Sequence, residues 1–257
     1  MSGAAGDGGR DAARGAGDAS IHARGLAPCE VPDVAVPAGF VLARVGAADD
    51  PTAFLELRRA SDREGRGVRC DLSKVSLRGG RAEARAMPVV RAMGDAQTVV
   101  DATAGLLGDA FLLAAGGLRV TAIERSPVVH ALAADGLRRA ALDLRLAELI
   151  VDRLTLVAAD AKGWLDERSG SPEAPDAVLI DPMFPPKRRS SALPRKEMAL
   201  LREVVGADVD AAELLASARR CARKRVLLKR GDDSAELAAP EWRVEGTTVR
   251  FDGWRVG

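Results

Sequence analysis

One short stretch has the residue types needed to hold a planar amine: Asp181-Pro182-Met183-Phe184, directly after the apolar run Val178-Leu179-Ile180. The lone pair of an amine on an aromatic ring is delocalised, so the amine must be held in line with an electrophile while it pyramidalises. The Asp181 carboxylate and the proline-restricted carbonyl of Pro182 can each accept one of its hydrogens. Charge-assisted bonds of this kind are worth about 1.5 to 3 kcal/mol. Phe184 can stack on the ring, which for a nucleic-acid base contributes roughly 1 to 3 kcal/mol. The competing reading is an ordinary strand-to-helix turn begun by Asp-Pro, with Phe184 in the core.

A second stretch, Asp101-Ala102-Thr103-Ala104-Gly105-Leu106-Leu107-Gly108-Asp109, places small residues and two glycines where a strand gives way to a helix. Gly105 and Gly108 let the backbone approach a ligand and adopt positive φ. The next strand ends in Glu124, whose carboxylate can accept hydrogen bonds from both hydroxyls of a ribose. Together these residues signal a nucleoside cofactor, and they suit a nicotinamide dinucleotide as well as S-adenosylmethionine.

The following strand ends separate the two. The third strand ends in Ala159-Asp160, where an acid can bind the amino group of adenine; it can equally cap a helix beginning at Ala161. The fourth ends in Asp181-Pro182-Met183-Phe184, which resembles the (Asp/Asn)-Pro-Pro-(Phe/Tyr/Trp) motif of enzymes that methylate exocyclic amines. The expectation is therefore methyl transfer from S-adenosylmethionine, with Asp181, Pro182 and Phe184 at the acceptor. Just downstream, Lys187, Arg188 and Arg189 lie where they can contact RNA phosphate, although a charge run is more often a solvated loop. A second basic region, from Arg219 to Arg230, reads as a solubilising surface.

The elements that must position these residues follow from hydrophobic pattern. From residue 97 apolar strands alternate with helical stretches, the signature of a parallel sheet wound with helices. Strands are expected at Thr98 to Asp101, Leu118 to Ile123, Leu154 to Ala159, Ala177 to Ile180 and Arg225 to Lys229. Helices are expected at Leu106 to Ala115, Pro127 to about Leu149, Arg195 to Val205 and Ala211 to Ala222, and a closing hairpin at Trp242 to Val256. The fold expected is α/β and Rossmann-like, with a mostly parallel seven-stranded sheet over 95–257. Residues 26–94 read as a small α+β lead-in, with strand-like runs at Phe40 to Val45, Val68 to Leu72 and Val75 to Leu77, then a helix from Arg81 interrupted at Pro88. Residues 1–25, nearly without apolar side chains, read as a disordered tail.

Composition narrows the function classes. Thirty-eight basic side chains against 37 acidic ones leave no whole-molecule attraction for nucleic acid, so local clusters must supply it. Three cysteines without Cys-x-x-Cys spacing suggest neither a metal site nor a disulfide framework. The chain has no long apolar run and no basic-then-apolar start, so a cytoplasmic protein without membrane spans is expected.

The motif blocks Asp101 to Leu106, Asp109-Ala110-Phe111, Ile123-Glu124-Arg125-Ser126-Pro127-Val128-Val129, Asp181 to Pro185, Ser191-Ala192-Leu193 and Lys196-Glu197-Met198 together resemble the small-subunit ribosomal RNA methyltransferase J family. The resemblance runs from about residue 98 to 230. It implies a class I fold, methylation of guanine N2 in 16S ribosomal RNA, and the RNA or the small subunit as partner. It also implies cofactor contacts at Gly108, Asp109, Glu124, Arg125, Asp160, Ala161 and Asp181. Two departures stand out. The family usually reads Gly-Leu-Gly-Arg-Asp where this chain has Gly105-Leu106-Leu107-Gly108-Asp109, and often has two serines where Asp160 and Ala161 stand. The alternatives are a methyltransferase for another exocyclic amine, a catalytically silent RNA-binding or ribosome-assembly protein, and a nicotinamide-dependent oxidoreductase, which the Asp-Pro-Met-Phe turn disfavours.

Overall fold

The computed structural model describes residues 20–22, 29–75, 77–183, 196–206, 209–231, 237–246 and 249–256. Its strands are β1 (Ser20–His22), β2 (Phe40–Val45), β3 (Phe54–Arg59), β4 (Thr98–Asp101), β5 (Arg119–Glu124), β6 (Leu154–Ala158), β7 (Ala177–Ile180), β8 (Arg225–Arg230), β9 (Trp242–Glu245) and β10 (Arg250–Arg255). Its helices are α1 (Gly80–Ala86), α2 (Pro88–Ala92), α3 (Gly108–Gly116), α4 (Pro127–Leu142), α5 (Leu144–Ile150), α6 (Ala161–Arg168), α7 (Lys196–Val205) and α8 (Ala211–Cys221). None of the described helices is long and apolar enough to cross a membrane.

The main sheet runs β1-β6-β5-β4-β7-β8-β10-β9. Neighbours from β6 to β8 are parallel, while β10 and β9 close the sheet antiparallel. The central strand β7 is all apolar and wholly buried, because both faces of a parallel sheet are covered. Alternate residues go to opposite cores. Val99, Val120, Leu179 and Leu227 pack with Phe111 and Leu113 of α3 and Leu137 of α4. Val100, Ile123, Val178, Ile180, Val226 and Leu228 pack with Leu165 of α6 and with Leu214, Leu215 and Ala218 of α8. Every strand and helix expected after residue 97 is present within a few residues, and the fold is α/β as expected.

The sheet has eight strands where seven were expected. The additional one is β1, antiparallel to β6 and inside the tail read as unstructured. Edge strands carry unpaired backbone groups that any extended segment can meet, and this pairing needs no apolar side chains.

Ahead of the sheet, β2 and β3 form an antiparallel hairpin. One strand-like run expected here is not a strand: Val68 makes an isolated bridge to Leu57, and Leu72 already begins the 3-10 turn Leu72–Lys74; the other, Val75 to Leu77, includes a residue outside those described. The Glu56 carboxylate takes the backbone N–H groups of Gly65 and Gly67, each at 3.0 Å, and bends the chain back before a further strand can run.

The hairpin shares its core with the helices that cover the main sheet. Leu42, Leu55, Leu57 and Val68 pack with Val128, Val129 and Leu132 of α4 and with Leu200 and Leu201 of α7. Asp135, 3 % exposed at its side chain, is the polar centre of this contact. It accepts from Leu55 N at 3.1 Å, Arg138 Nη2 at 3.0 Å and Arg139 Nε at 3.0 Å. Arg138 and Arg139 also donate to the carbonyls of Pro51, Ala53 and Cys70. The next residue must be glycine, since a Cβ at Gly136 would overlap the side chain of Cys70.

Removing one partner of a buried ionic group leaves the others uncompensated, so Asp135→Ala is expected to lower unfolding stability by about 3 to 5 kcal/mol. Urea unfolding measures this. A loss within about 1 kcal/mol would mean that apolar packing alone holds the hairpin on α4.

Candidate functional site

From β4 the chain winds outward through β5 to β6, and then returns to the other side of β4 for β7 and β8. At such a reversal the turns leave in opposite directions, and a crevice opens at the carboxyl ends of the strands. Such a crevice, open to solvent, is present here. Gly105, Glu124, Arg125, Asp160, Ala161 and Asp181 all line it, joined by Thr103, Ile123, Met183 and Leu214. Asp101, Gly108 and Asp109 do not; Asp101 is buried, 2 % exposed. Pro182 is also buried. Phe184, Lys187, Arg188 and Arg189 lie outside the described residues.

The turn between β4 and α3 has two left-handed residues, Gly105 at φ +52° and Leu107 at φ +64°. Leu107 stands where the resembled family has glycine, and its backbone shows why glycine suits that position. A side chain in this conformation costs roughly 1 to 2 kcal/mol. Leu107 is fully buried against the α3 core, and burial of a leucine returns about 1.5 to 3 kcal/mol. The altered turn therefore keeps a glycine-type path by burying a leucine.

Glu124 ties two turns together. One carboxylate oxygen accepts from Gly105 N at 3.0 Å and the other from Ser126 N at 2.7 Å. Ser126 in turn caps α4 through Val129 N, with Pro127 at the first helical position. A carboxylate oxygen has more than one acceptor direction, so these bonds orient Glu124 without excluding ribose hydroxyls. Nothing but the Thr103 carbonyl lies within 4 Å of a Cβ built on Gly105, so the cleft has room at that turn. These features fit a nucleoside cofactor. Asp160 caps α6 by accepting from Gly163 N at 3.1 Å, and lines the cleft as well. Both readings of that residue are thus compatible in one geometry.

Asp181 is anchored through both its backbone N–H and its carboxylate. Its N–H donates to Thr103 Oγ1 at 2.6 Å, and its Oδ2 accepts from Lys229 Nζ at 2.8 Å. Nζ also donates to Asp109 Oδ2 at 2.6 Å. Burial works against the ammonium, but Asp181 and Asp109 outweigh it and hold the Lys229 pKa above the ordinary lysine value. Asp101 is pushed the other way. Burial, followed by the charges of Asp109 and Asp181, raises its carboxyl to about 8, against the pull of the Thr103 N–H and of Lys229.

Sequence reasoning missed Thr103 and Lys229. Lys229 was grouped with a basic run that proves to be a set of specific pairs: Arg220 on Asp166, Arg223 on Asp176, Arg225 on Asp95 and Arg230 on the buried Asp252. Among the described residues no group of His, Cys, Asp and Glu side chains is arranged to hold a metal ion.

Residues 42–255 match a protein family described as "Putative SAM-dependent methyltransferase". The chain is 39 % identical over 238 residues to ribosomal RNA small subunit methyltransferase J of Aeromonas hydrophila, covering 87 % of this chain and 94 % of that protein. It is 48 % identical over 171 residues to the protein of the same name from Marinobacter nauticus, covering 64 % of this chain and 60 % of that protein. Among solved structures, a SAM-dependent methyltransferase from Neisseria gonorrhoeae is similar with a TM-score of 0.61 and 29 % identity, over 88 % of this chain and 84 % of that one.

The Asp101 carboxyl ionises near 3.9 in an unfolded chain and stays protonated to about 8 in the fold. Between those values the folded state binds the extra proton, so this group's contribution to stability, complete below the unfolded pKa, is lost as pH rises. Asp101→Asn keeps an acceptor for Thr103 and has no charge to desolvate. Relative to wild type, its stability in urea melts is expected to climb from about pH 5 to about pH 8 and to level off above. A difference that does not vary with pH would show that Asp101 is ionised in the fold.

Proposed function

The chain belongs to the ribosomal RNA small subunit methyltransferase J family, and from that premise we propose that it methylates N2 of a guanine in 16S ribosomal RNA, using S-adenosylmethionine. The observation that carries this reading is Asp181: it ends a buried strand, lines the cofactor cleft, and is fixed there by Thr103 and Lys229.

S-adenosylmethionine supplies an electrophilic methyl group on a sulfonium. Glu124 would hold the ribose hydroxyls and Asp160 and Ala161 would border the adenine, while Ile123 and Leu214 give the cleft apolar wall. Arg125 lines the same region, with its guanidinium on Asp210 at 2.8 Å. Gly105 would let the turn backbone come close to the cofactor. Behind the lining, Asp109 pairs with Lys229 and Asp101 stays a neutral acid.

At the acceptor side, the Asp181 carboxylate and the Pro182 carbonyl accept the two hydrogens of the guanine amine, which fixes its direction and favours pyramidalisation. Transfer would form the N–CH3 bond as the sulfonium S–CH3 bond breaks, the neutral thioether S-adenosylhomocysteine would leave, and the positive charge would pass from sulfur to nitrogen. A proton must then leave that nitrogen, and Asp181, 41 % exposed, can pass it to solvent. Phe184 stacks on the base. Lys187, Arg188 and Arg189 follow within a few residues and contact phosphate. The substrate is ribosomal RNA or the small subunit, and the compartment is the cytosol.

Asp181→Ala is expected to lower methyl transfer at saturating cofactor by roughly 10- to 150-fold, the equivalent of one charge-assisted bond. Asp181→Asn, which still accepts one hydrogen bond, should lose less. Near-wild-type transfer by folded Asp181→Ala would remove Asp181 from the mechanism.

Replacing Lys187, Arg188 and Arg189 together with alanine is expected to weaken RNA binding and to flatten its salt dependence by about 0.7 log units per lost single-strand phosphate contact. Identical salt slopes for variant and wild type would assign the three side chains to solvent.

A further inference from the structure

Lys229 belongs to none of the motifs that suggest a cofactor or an amine, yet it sits where the two halves of the site meet. The pairing of β7 with β8 matches Ile180 with Leu228. One residue further along each strand are Asp181 and Lys229, on the face that also carries Leu179 and Leu227. Nζ bridges Asp181 Oδ2 and Asp109 Oδ2, on a side chain only 21 % exposed. Asp109 is in the first turn of α3, the helix that begins at the cofactor turn, and Asp101 closes the same edge from β4.

We propose that Lys229 is a positioning residue for methyl transfer, one that fixes the Asp181 carboxylate toward the acceptor amine and, through Asp109, locks it to the cofactor turn. This rests on the amine-methylation reading above. Without the ammonium, Asp181 and Asp109 would face each other as like charges, and the half-exposed Asp181 would rotate toward water. The same two acids keep Lys229 protonated, so it is no general base and acts through Asp181.

A double-mutant cycle tests this, with kcat measured at saturating S-adenosylmethionine on unmodified small subunits and folding checked by circular dichroism. Lys229→Met is expected to lower kcat about 30-fold, and Lys229→Arg, which keeps the charge, to stay within about 5-fold of wild type. In the Asp181→Asn background, Lys229→Met should cost less than about 3-fold more, because the group it positions has already been altered. If Lys229→Met does not fold, Lys229→Gln takes its place in the cycle. Losses that multiply across the two sites, or a wild-type kcat in the single variant, would overturn the proposal while leaving the methylation reading intact. A wild-type protein that transfers no methyl group to guanine N2 would remove that reading and this proposal with it.

Discussion

Parallel strands deliver their last residues to one edge of the sheet, and here several arrive as carboxylates: Asp101 from β4, Glu124 from β5, Asp160 just beyond β6 and Asp181 just beyond β7. Acids at a partly buried edge stay ionised only where donors or cations compensate them. The fold answers differently at each. Glu124 receives two backbone N–H groups, and Asp160 receives one at a helix start. Asp101 keeps its proton, and Asp181 shares the Lys229 ammonium with Asp109. Each answer also fixes geometry: the N–H groups on Glu124 set two βα turns, and the ammonium holds the Asp181 carboxylate to Asp109.

The rest of the structure keeps that edge in register. Both faces of the sheet are covered, so the strand ends hold their places through the apolar cores beneath them. The N-terminal hairpin adds a third core over α4 and α7, fastened by Asp135 and its two arginines. Because α4 begins at Ser126, beside Glu124, that fastening bears on the helix that leaves the cofactor cleft.

How much of this can be read from sequence depends on whether a residue's neighbours are local. The turn at Asp101 to Asp109, Glu124 and Asp181 each follow an apolar run directly, so strand, end and chemistry are read together. Lys229 also ends an apolar strand, but its meaning lies in the β7–β8 register, and arginines on both sides of it in the chain hide the one lysine that turns inward. The β3 strand was not read from the sequence: only Leu55 and Leu57 mark its apolar face, and Glu56, the polar residue between them, is itself buried because two glycine N–H groups bind it. Leu107 was legible only as a departure. Its cost and its compensation depend on a backbone angle and on burial, neither of which a residue name carries.

On the proposed reading, this edge of acids presents a guanine amine to a methyl donor. The most direct test of that reading is to incubate the purified protein with isotope-labelled S-adenosylmethionine and small ribosomal subunits that lack their own guanine-N2 methylation, then to digest the RNA and identify the labelled nucleoside by mass spectrometry. The account predicts label in N2-methylguanosine from 16S ribosomal RNA. Label on a ring nitrogen or carbon, or in another nucleoside, would contradict it.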